Sequence, residues 1–246
     1  MNETIANKLQ TIAENELKVF DAGKKAEHDH FWGVFQQYGE RTNYQQGFFT
    51  FRNTANFYPK YDVAPTGNAM SMMMYFGISD DEPIDLAARL EECGVRLDMS
   101  KVTNMQQAFY WRLGVTRLPE ISMESATNTQ SCICNNIHLV TIDKIIFSND
   151  GTQPSHDNLL GSNPNLKNVT VEGVIGKSLN LIGTYNLSTD SMKSIILHLK
   201  NYAGTDGEFA NKLTLAVDAW TRLEADSISP TGTTWKEYVG TLGWNT

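Results

Sequence analysis

Val102-Thr103-Asn104-Met105-Gln106-Gln107-Ala108-Phe109-Tyr110, followed by Val115-x-x-Leu118-x-x-Ile121, returns at an offset of 24 residues as Ala126-Thr127-Asn128-Thr129-Gln130-Ser131-Cys132-Ile133-Cys134 and Leu139-x-x-Ile142-x-x-Ile145. A polar Thr-Asn corner, a three-residue apolar block and a spaced Leu/Ile ladder at a fixed offset form the pattern of a stacked solenoid. Each turn of such an array lacks an interior of its own and buries its apolar residues only against its neighbours. Thr and Asn are the residue types that satisfy backbone groups left unpaired at a bend. The alternative is that two similar segments arose by chance within a mixed α/β domain. Five approximately spaced copies weigh against it.

The frame extends in both directions. Thr42-Asn43-Tyr44-Gln45-Gln46-Gly47-Phe48-Phe49 matches Thr103 to Tyr110 closely, and Asn68-Ala69-Met70-Ser71-Met72-Met73-Met74 fits more loosely. Downstream, Leu159-Leu160-Gly161 and Leu166-x-x-Val169 keep the pattern without its Thr-Asn corner. With Gly47, Met72, Ala108, Cys132 and Leu159 as equivalent positions, the steps are 25, 36, 24 and 27 residues. The long step predicts an insertion. Pro83 to Gly94 reads as a short helix with Pro in its first turn and Gly just past its end. Strands are predicted from Val115 to Met123, Leu139 to Phe147 and Leu166 to Ile175, all rich in β-branched residues. Arg117, Glu120, His138, Thr141, Lys167 and Thr170 alternate with the inward residues and are the candidate binding contacts. For any single one of them, ordinary polar surface is the simpler reading.

The block Val102 to Leu118, and less closely Ala126 to Ile142 and Leu159 to Val171, resembles the leucine-rich repeats of the BspA-like type. Ile142 to Phe147, Val171 to Gly176 and Leu187 to Ile196 are similar to segments of leucine-rich-repeat proteins encoded in phages and prophages of gut bacteria. The resemblance implies an α/β leucine-rich-repeat solenoid and a role in adhesion or recognition, with no reaction attached. The degenerate copy at Met70 to Met74 and the 36-residue step depart from the regular ladder.

Outside the repeats, residues 3 to about 38 read as helix, with Ile5, Leu9, Ile12 and Val19 on a narrow apolar stripe. So little apolar surface demands docking or self-association, so a stalk and a cap are both expected in residues 1–40. The aromatic Phe31-Trp32-Gly33-Val34-Phe35 suits the cap. The solenoid is expected over residues 41–186 and a C-terminal α/β cap over 187–246. In that cap, Ser188 should start a helix carrying Met192, Ile195, Ile196 and Leu199 and ending near Gly204. Leu213, Leu215 and Val217 alternate as a strand, and an amphipathic piece follows around Trp220 and Leu223.

With 28 acids, 20 bases and a net charge of −8, the chain lacks the basic clusters that phosphate neutralisation requires, which weighs against nucleic acid and anionic membranes. No run of about 18 apolar residues is present, so membrane insertion is not expected. Glu3, Asn7, Lys8, Gln10 and Glu14 interrupt any apolar leader, so no signal peptide is expected. If the chain acts outside a cell, it is expected to leave by another route, such as lysis with a virion or a dedicated secretion machine.

The motifs of hydrolases, nucleotide binders and zinc proteases do not occur. Cys93, Cys132 and Cys134 form no disulfide framework, and Cys132-x-Cys134 lacks the further ligands a metal would need. His28 and His30 lie about 200° apart on a helix and cannot share an ion. Ser148 to Thr152 suggests a calcium loop only superficially. The paired acids Glu91-Glu92 and Asp80-Asp81-Glu82 are more simply solvated charge than a glycosidase pair. No catalytic residue, cofactor or metal is therefore assigned.

The expected function is a non-enzymatic recognition or adhesion module on a virion or tail, its repeat surface facing a host protein or glycan. Other assembly proteins would be held through the N-terminal helix, and a homo-oligomer is possible through the same helix. The rivals are a structural virion component contacting only its neighbours and, more remotely, a carbohydrate-active enzyme.

Overall fold

The apolar blocks find one another through their main chains. In the computed structural model, residues 57–59, 61–77, 83–111, 113–152, 158–216 and 218–246 are described, together with Gln45 and Phe48; all belong to one unit, Glu40–Thr246. Phe48 N–H donates to Met72 O (2.8 Å), Met73 N–H to Ala108 O (2.7 Å), Phe109 N–H to Cys132 O (2.8 Å) and Ile133 N–H to Leu159 O (2.9 Å). Each time, the residue after one equivalent position bonds the carbonyl of the next equivalent position. The steps of 25, 36, 24 and 27 residues therefore hold in space, and the looser Met70 to Met74 copy keeps the common register. Phe48, Phe109 and Ile133 line up along this ladder and are all buried.

The architecture is mixed α/β with parallel sheets. Strands β1 (Ile84–Asp85), β2 (Val115–Ser122), β3 (Thr141–Ile146) and β4 (Asn168–Glu172) pair in that order. Leu118, Ile142 and Val169 form one buried column across the sheet, and Ile121, Ile145 and Val171 form another. A second parallel sheet joins β5 (Leu179–Asn180), β6 (Asn211–Thr214) and β7 (Trp244–Asn245). Among the described residues the helices are α1 (Leu86–Cys93), α2 (Thr189–Leu197), α3 (Ala219–Asp226) and α4 (Trp235–Thr241).

The strands are shorter than the sequence predicts because the corners take their ends. Lys167 and Asn168 both donate to Val140 O, at 2.8 and 3.1 Å. Gly173 turns the chain with φ of 78°, and a Cβ there would stand 2.1 Å from Phe147 O. Simple alternation also fails in β2 and β3, where burial recurs every third residue; only β4 alternates. An extra residue sits between inward positions, and opposite β4 it registers as a bulge between Ile142 and Ile145.

The corners use side chains as the residue types demand. Thr127 donates through both N–H and Oγ1 to Thr103 O (2.7 and 3.0 Å), and Thr103 does the same to Gly67 O (2.8 and 3.1 Å). Asn68, Asn104 and Asn128 each accept, through Oδ1, the N–H two residues on. Two left-handed residues recur per copy in the same frame. Ser71, Gln107, Ser131 and Asn158 form one column, and Tyr75, Trp111, Asn135 and Ser162 form the other, both in steps of 36, 24 and 27.

A buried polar column runs beside the second of these. Leu113 N–H donates to Asn136 Oδ1 (3.1 Å), Asn136 N–H to Asn163 Oδ1 (3.0 Å) and Asn163 N–H to Thr184 Oγ1 (3.2 Å). The Asn136 amide returns a bond to Phe109 O, and the Asn163 amide to Ile133 O and Leu160 O. Buried polar side chains are tolerated when each is paired in this way.

The insertion helix is α1, bounded by Asp85, whose carboxylate accepts Ala88 N–H, and by Gly94 with φ of 67°. Gly94 ends it as expected. Pro83 lies outside the first turn, because Ile84–Asp85 is recruited into the sheet as β1. Ser188 caps α2 as expected, but the helix stops at Leu197 with His198 as its C-cap, since Leu199 pairs with Ile175 as a parallel bridge. Strand β6 ends at Thr214; Leu215 follows it, and Val217 lies outside the described residues.

Helix α2 covers the open edge of β4, where unpaired N–H groups would otherwise face solvent. Ser191 Oγ accepts Val169 N–H at 2.8 Å and Ser194 Oγ accepts Val171 N–H at 2.9 Å. Helix α4 carries a capping box between Thr234 and Glu237, and Trp244 Nε1 donates to Lys200 O. The predicted N-terminal helix, its stalk and its aromatic cap lie outside the described residues. Among those described, no helix is long and apolar enough to cross a membrane.

Candidate functional site

On the outward side of the β1–β4 sheet, Thr116, Arg117, Pro119 and Glu120 fill the gaps between the buried residues of β2. Two rows of alternating charge cross the strands there. Arg117 lies between Asp143 (Nε–Oδ1 2.6 Å, Nη2–Oδ2 3.0 Å) and Asp85 (3.6 Å). Lys144 lies between Glu172 (2.9 Å) and Glu120 (3.5 Å). The hydrogen bond that Arg117 donates to Asp143 raises the Arg117 pKa, and the one that Lys144 donates to Glu172 raises the Lys144 pKa, with desolvation opposing each. All six side chains are partly exposed, so the rows order the surface more than they stabilise the fold. Four carboxylates share two cations, and the face stays weakly acidic.

The structure places Arg117, Glu120, Thr141 and Thr170 within the strands of this face. Thr141 is half-buried and accepts a long bond from Asn168 Nδ2 (3.4 Å), while Thr170 is exposed. His138 and Lys167 fall outside the strands, in the connections that lead into β3 and β4. Lys167 is exposed, and its carbonyl is held by Ser188 N–H and Ser191 Oγ. Asp85, Asp143, Lys144 and Glu172 complete the rows and were not singled out from sequence. Their signal was available once the copies are laid over one another: Glu120 and Lys144 are 24 residues apart, and Lys144 and Glu172 are 28 apart.

Elsewhere the chemistry is structural. Cys132 and Cys134 are both buried free thiols within the apolar block, and burial pushes the Cys134 thiol up to about 11 and that of Cys132 higher still. Asp150 Oδ1 accepts from Thr152 Oγ1 and Ser148 Oγ, both at 2.7 Å, and from Thr152 N–H at 3.0 Å. These bonds draw its pKa down to about 2 and tie the carboxylate into the turn. Glu91 and Glu92 are exposed on α1, with Glu92 paired to Arg89. Among the described residues no group of three His, Cys, Asp or Glu side chains is arranged to hold a metal. His28, His30 and Asp80 to Glu82 lie outside them.

Compared with known proteins, the chain matches no family model, no curated sequence and no solved structure.

Proposed function

We propose that the chain is a BspA-like leucine-rich-repeat solenoid acting as a non-enzymatic recognition module, its exposed sheet face turned to a host-surface protein or glycan. The observation that supports this reading is the contrast between the two sides of one sheet. Inward columns repeat the same residue types from rung to rung, as with Leu118, Ile142 and Val169, while the outward residues in the same rungs differ. A scaffold held constant beneath a varied surface is what binding requires and what packing alone does not. The setting on a phage virion or tail rests on the resemblance of Val102 to Leu118 and Leu187 to Ile196 to phage-encoded repeats.

The test is binding of the purified, labelled full-length chain to a panel of bacterial cells, before and after Thr170→Arg. Thr170 is exposed on β4, so the bulkier side chain blocks the face without entering the core. Saturable binding by the native chain and a drop of tenfold or more in the variant, at unchanged thermal stability, is the expected result. A native chain that binds no cell surface, but is present in fixed stoichiometry with other virion proteins, would overturn the reading in favour of a structural role.

A further inference from the structure

The second left-handed slot of each copy holds Tyr75, Trp111, Asn135 and Ser162, with φ between 57° and 67°, and Gly183 occupies it in the next. In that conformation Cβ crowds a neighbouring carbonyl, so Gly and Asn fit with least strain and a bulky ring with most. Since Asn, Ser and Gly serve in three of these five rungs, the fold has no need of an aromatic side chain here. Trp111 is nevertheless present, 39% exposed, with its backbone N–H fixed to Cys134 O at 3.0 Å. Its ring is braced by Tyr110 at 5.5 Å and 58°, and by Tyr75 at 6.4 Å and 66°. Asn135, one rung along, donates its amide to Tyr110 Oη at 3.1 Å, which leaves the phenolic proton to donate outward. Strain retained where an easier residue would serve is a mark of function.

We infer that Trp111, braced by Tyr75 and Tyr110, is a stacking site for a pyranose ring of a neutral glycan. The indole offers a rigid apolar face with an N–H at its rim, which suits the C–H face of a sugar whose hydroxyls point outward from its edge. Tyr110 and Asn135 stand beside that face at a rung spacing of about 4.8 Å, within reach of those hydroxyls. The net charge of −8 selects against anionic sugars. The inference rests on the recognition reading above and adds to it a ligand class and a place, at the corner of the repeats, distinct from the sheet face.

The experiment compares the full-length chain with its Trp111→Asn variant. Calorimetry with neutral oligomers of glucose, galactose and N-acetylglucosamine is run alongside thermal unfolding and the cell-binding assay. The expected result is saturable binding of at least one oligomer by the native chain, weakened tenfold or more in the variant, which unfolds at or above the native temperature. Equal affinity in the variant, no oligomer bound by the native chain, or a variant unfolding several degrees lower each overturns the inference. The last outcome would give the ring a packing role. Cell binding blocked by Thr170→Arg without any oligomer binding would leave the recognition reading standing and remove this one. Oligomer binding through Trp111 without cell binding would do the reverse.

Discussion

Asn163→Ala is the sharpest probe of what holds the copies together. The side chain is fully buried and makes three hydrogen bonds: it accepts from Asn136 N–H at 3.0 Å and donates to Ile133 O at 2.8 Å and Leu160 O at 2.9 Å. Leu160 O keeps the Thr184 hydroxyl at 2.6 Å, so truncation strands Asn136 N–H and weakens Ile133 O. An unsatisfied buried polar group costs about 1–3 kcal/mol, which puts the loss at about 2–6 kcal/mol for the pair. A central value of about 4 kcal/mol is a fall of about 1–2 M in the urea midpoint. The control is Gln130→Ala, which removes an exposed side chain bonded at 3.4 Å on the outer corner and should change stability by less than about 0.5 kcal/mol. Urea unfolding followed by circular dichroism measures both. A loss below about 1 kcal/mol for Asn163→Ala, or equal losses for the two variants, would refute the view that the buried amide column ties one rung to the next.

Ser191→Ala and Ser194→Ala should each destabilise by about 1–2 kcal/mol, since each leaves an edge N–H of β4 without its acceptor. Amide exchange should quicken at Val169 in the first variant and at Val171 in the second; unchanged protection would contradict the edge-covering role of α2. Asp150 should titrate at about 2, below the unfolded value of about 3.9. Because the folded value is the lower one, its contribution to stability is complete above about pH 4 and drains as pH falls toward 2. Asp150→Asn should remove that part of the acid profile. A carboxyl carbon titrating near 4 in the native chain would disprove the account.

The inward columns were legible in the sequence because each must be apolar in every rung. Ala108, Cys132 and Leu159 differ in kind but share small-to-medium apolar volume, and their spacing alone set a register that the hydrogen bonds between Phe109 and Cys132 and between Ile133 and Leu159 reproduce. Asn136 and Asn163 escaped notice for the opposite reason. An asparagine in a polar stretch, as in Asn135-Asn136 or Ser162-Asn163, reads as surface, and only the neighbouring rung shows that its amide has partners indoors. The end of α2 was overextended because Leu199 continues the apolar face of the helix; a residue that satisfies two patterns at once cannot be assigned by either, and the bridge to Ile175 decides it. In the candidate face, Arg117 and Glu120 were found as outward residues, but their engagement with Asp143 and Lys144 is a relation between copies, invisible along one of them.

This difference bears on where function can reside in such a chain. A column that the fold constrains, such as Leu118, Ile142 and Val169, has no freedom to encode a ligand. The sheet face is free in composition, but its cations are already shared among four carboxylates, so a partner that binds Arg117 or Lys144 must first displace an internal carboxylate. Positions such as Thr170 and the corner at Trp111 carry no such debt. On the proposed reading, Thr170 keeps part of the sheet face open to a partner, the exposed ring at Trp111 offers a second contact beside an amide and a phenol, and the charged rows orient a partner and limit which partners fit.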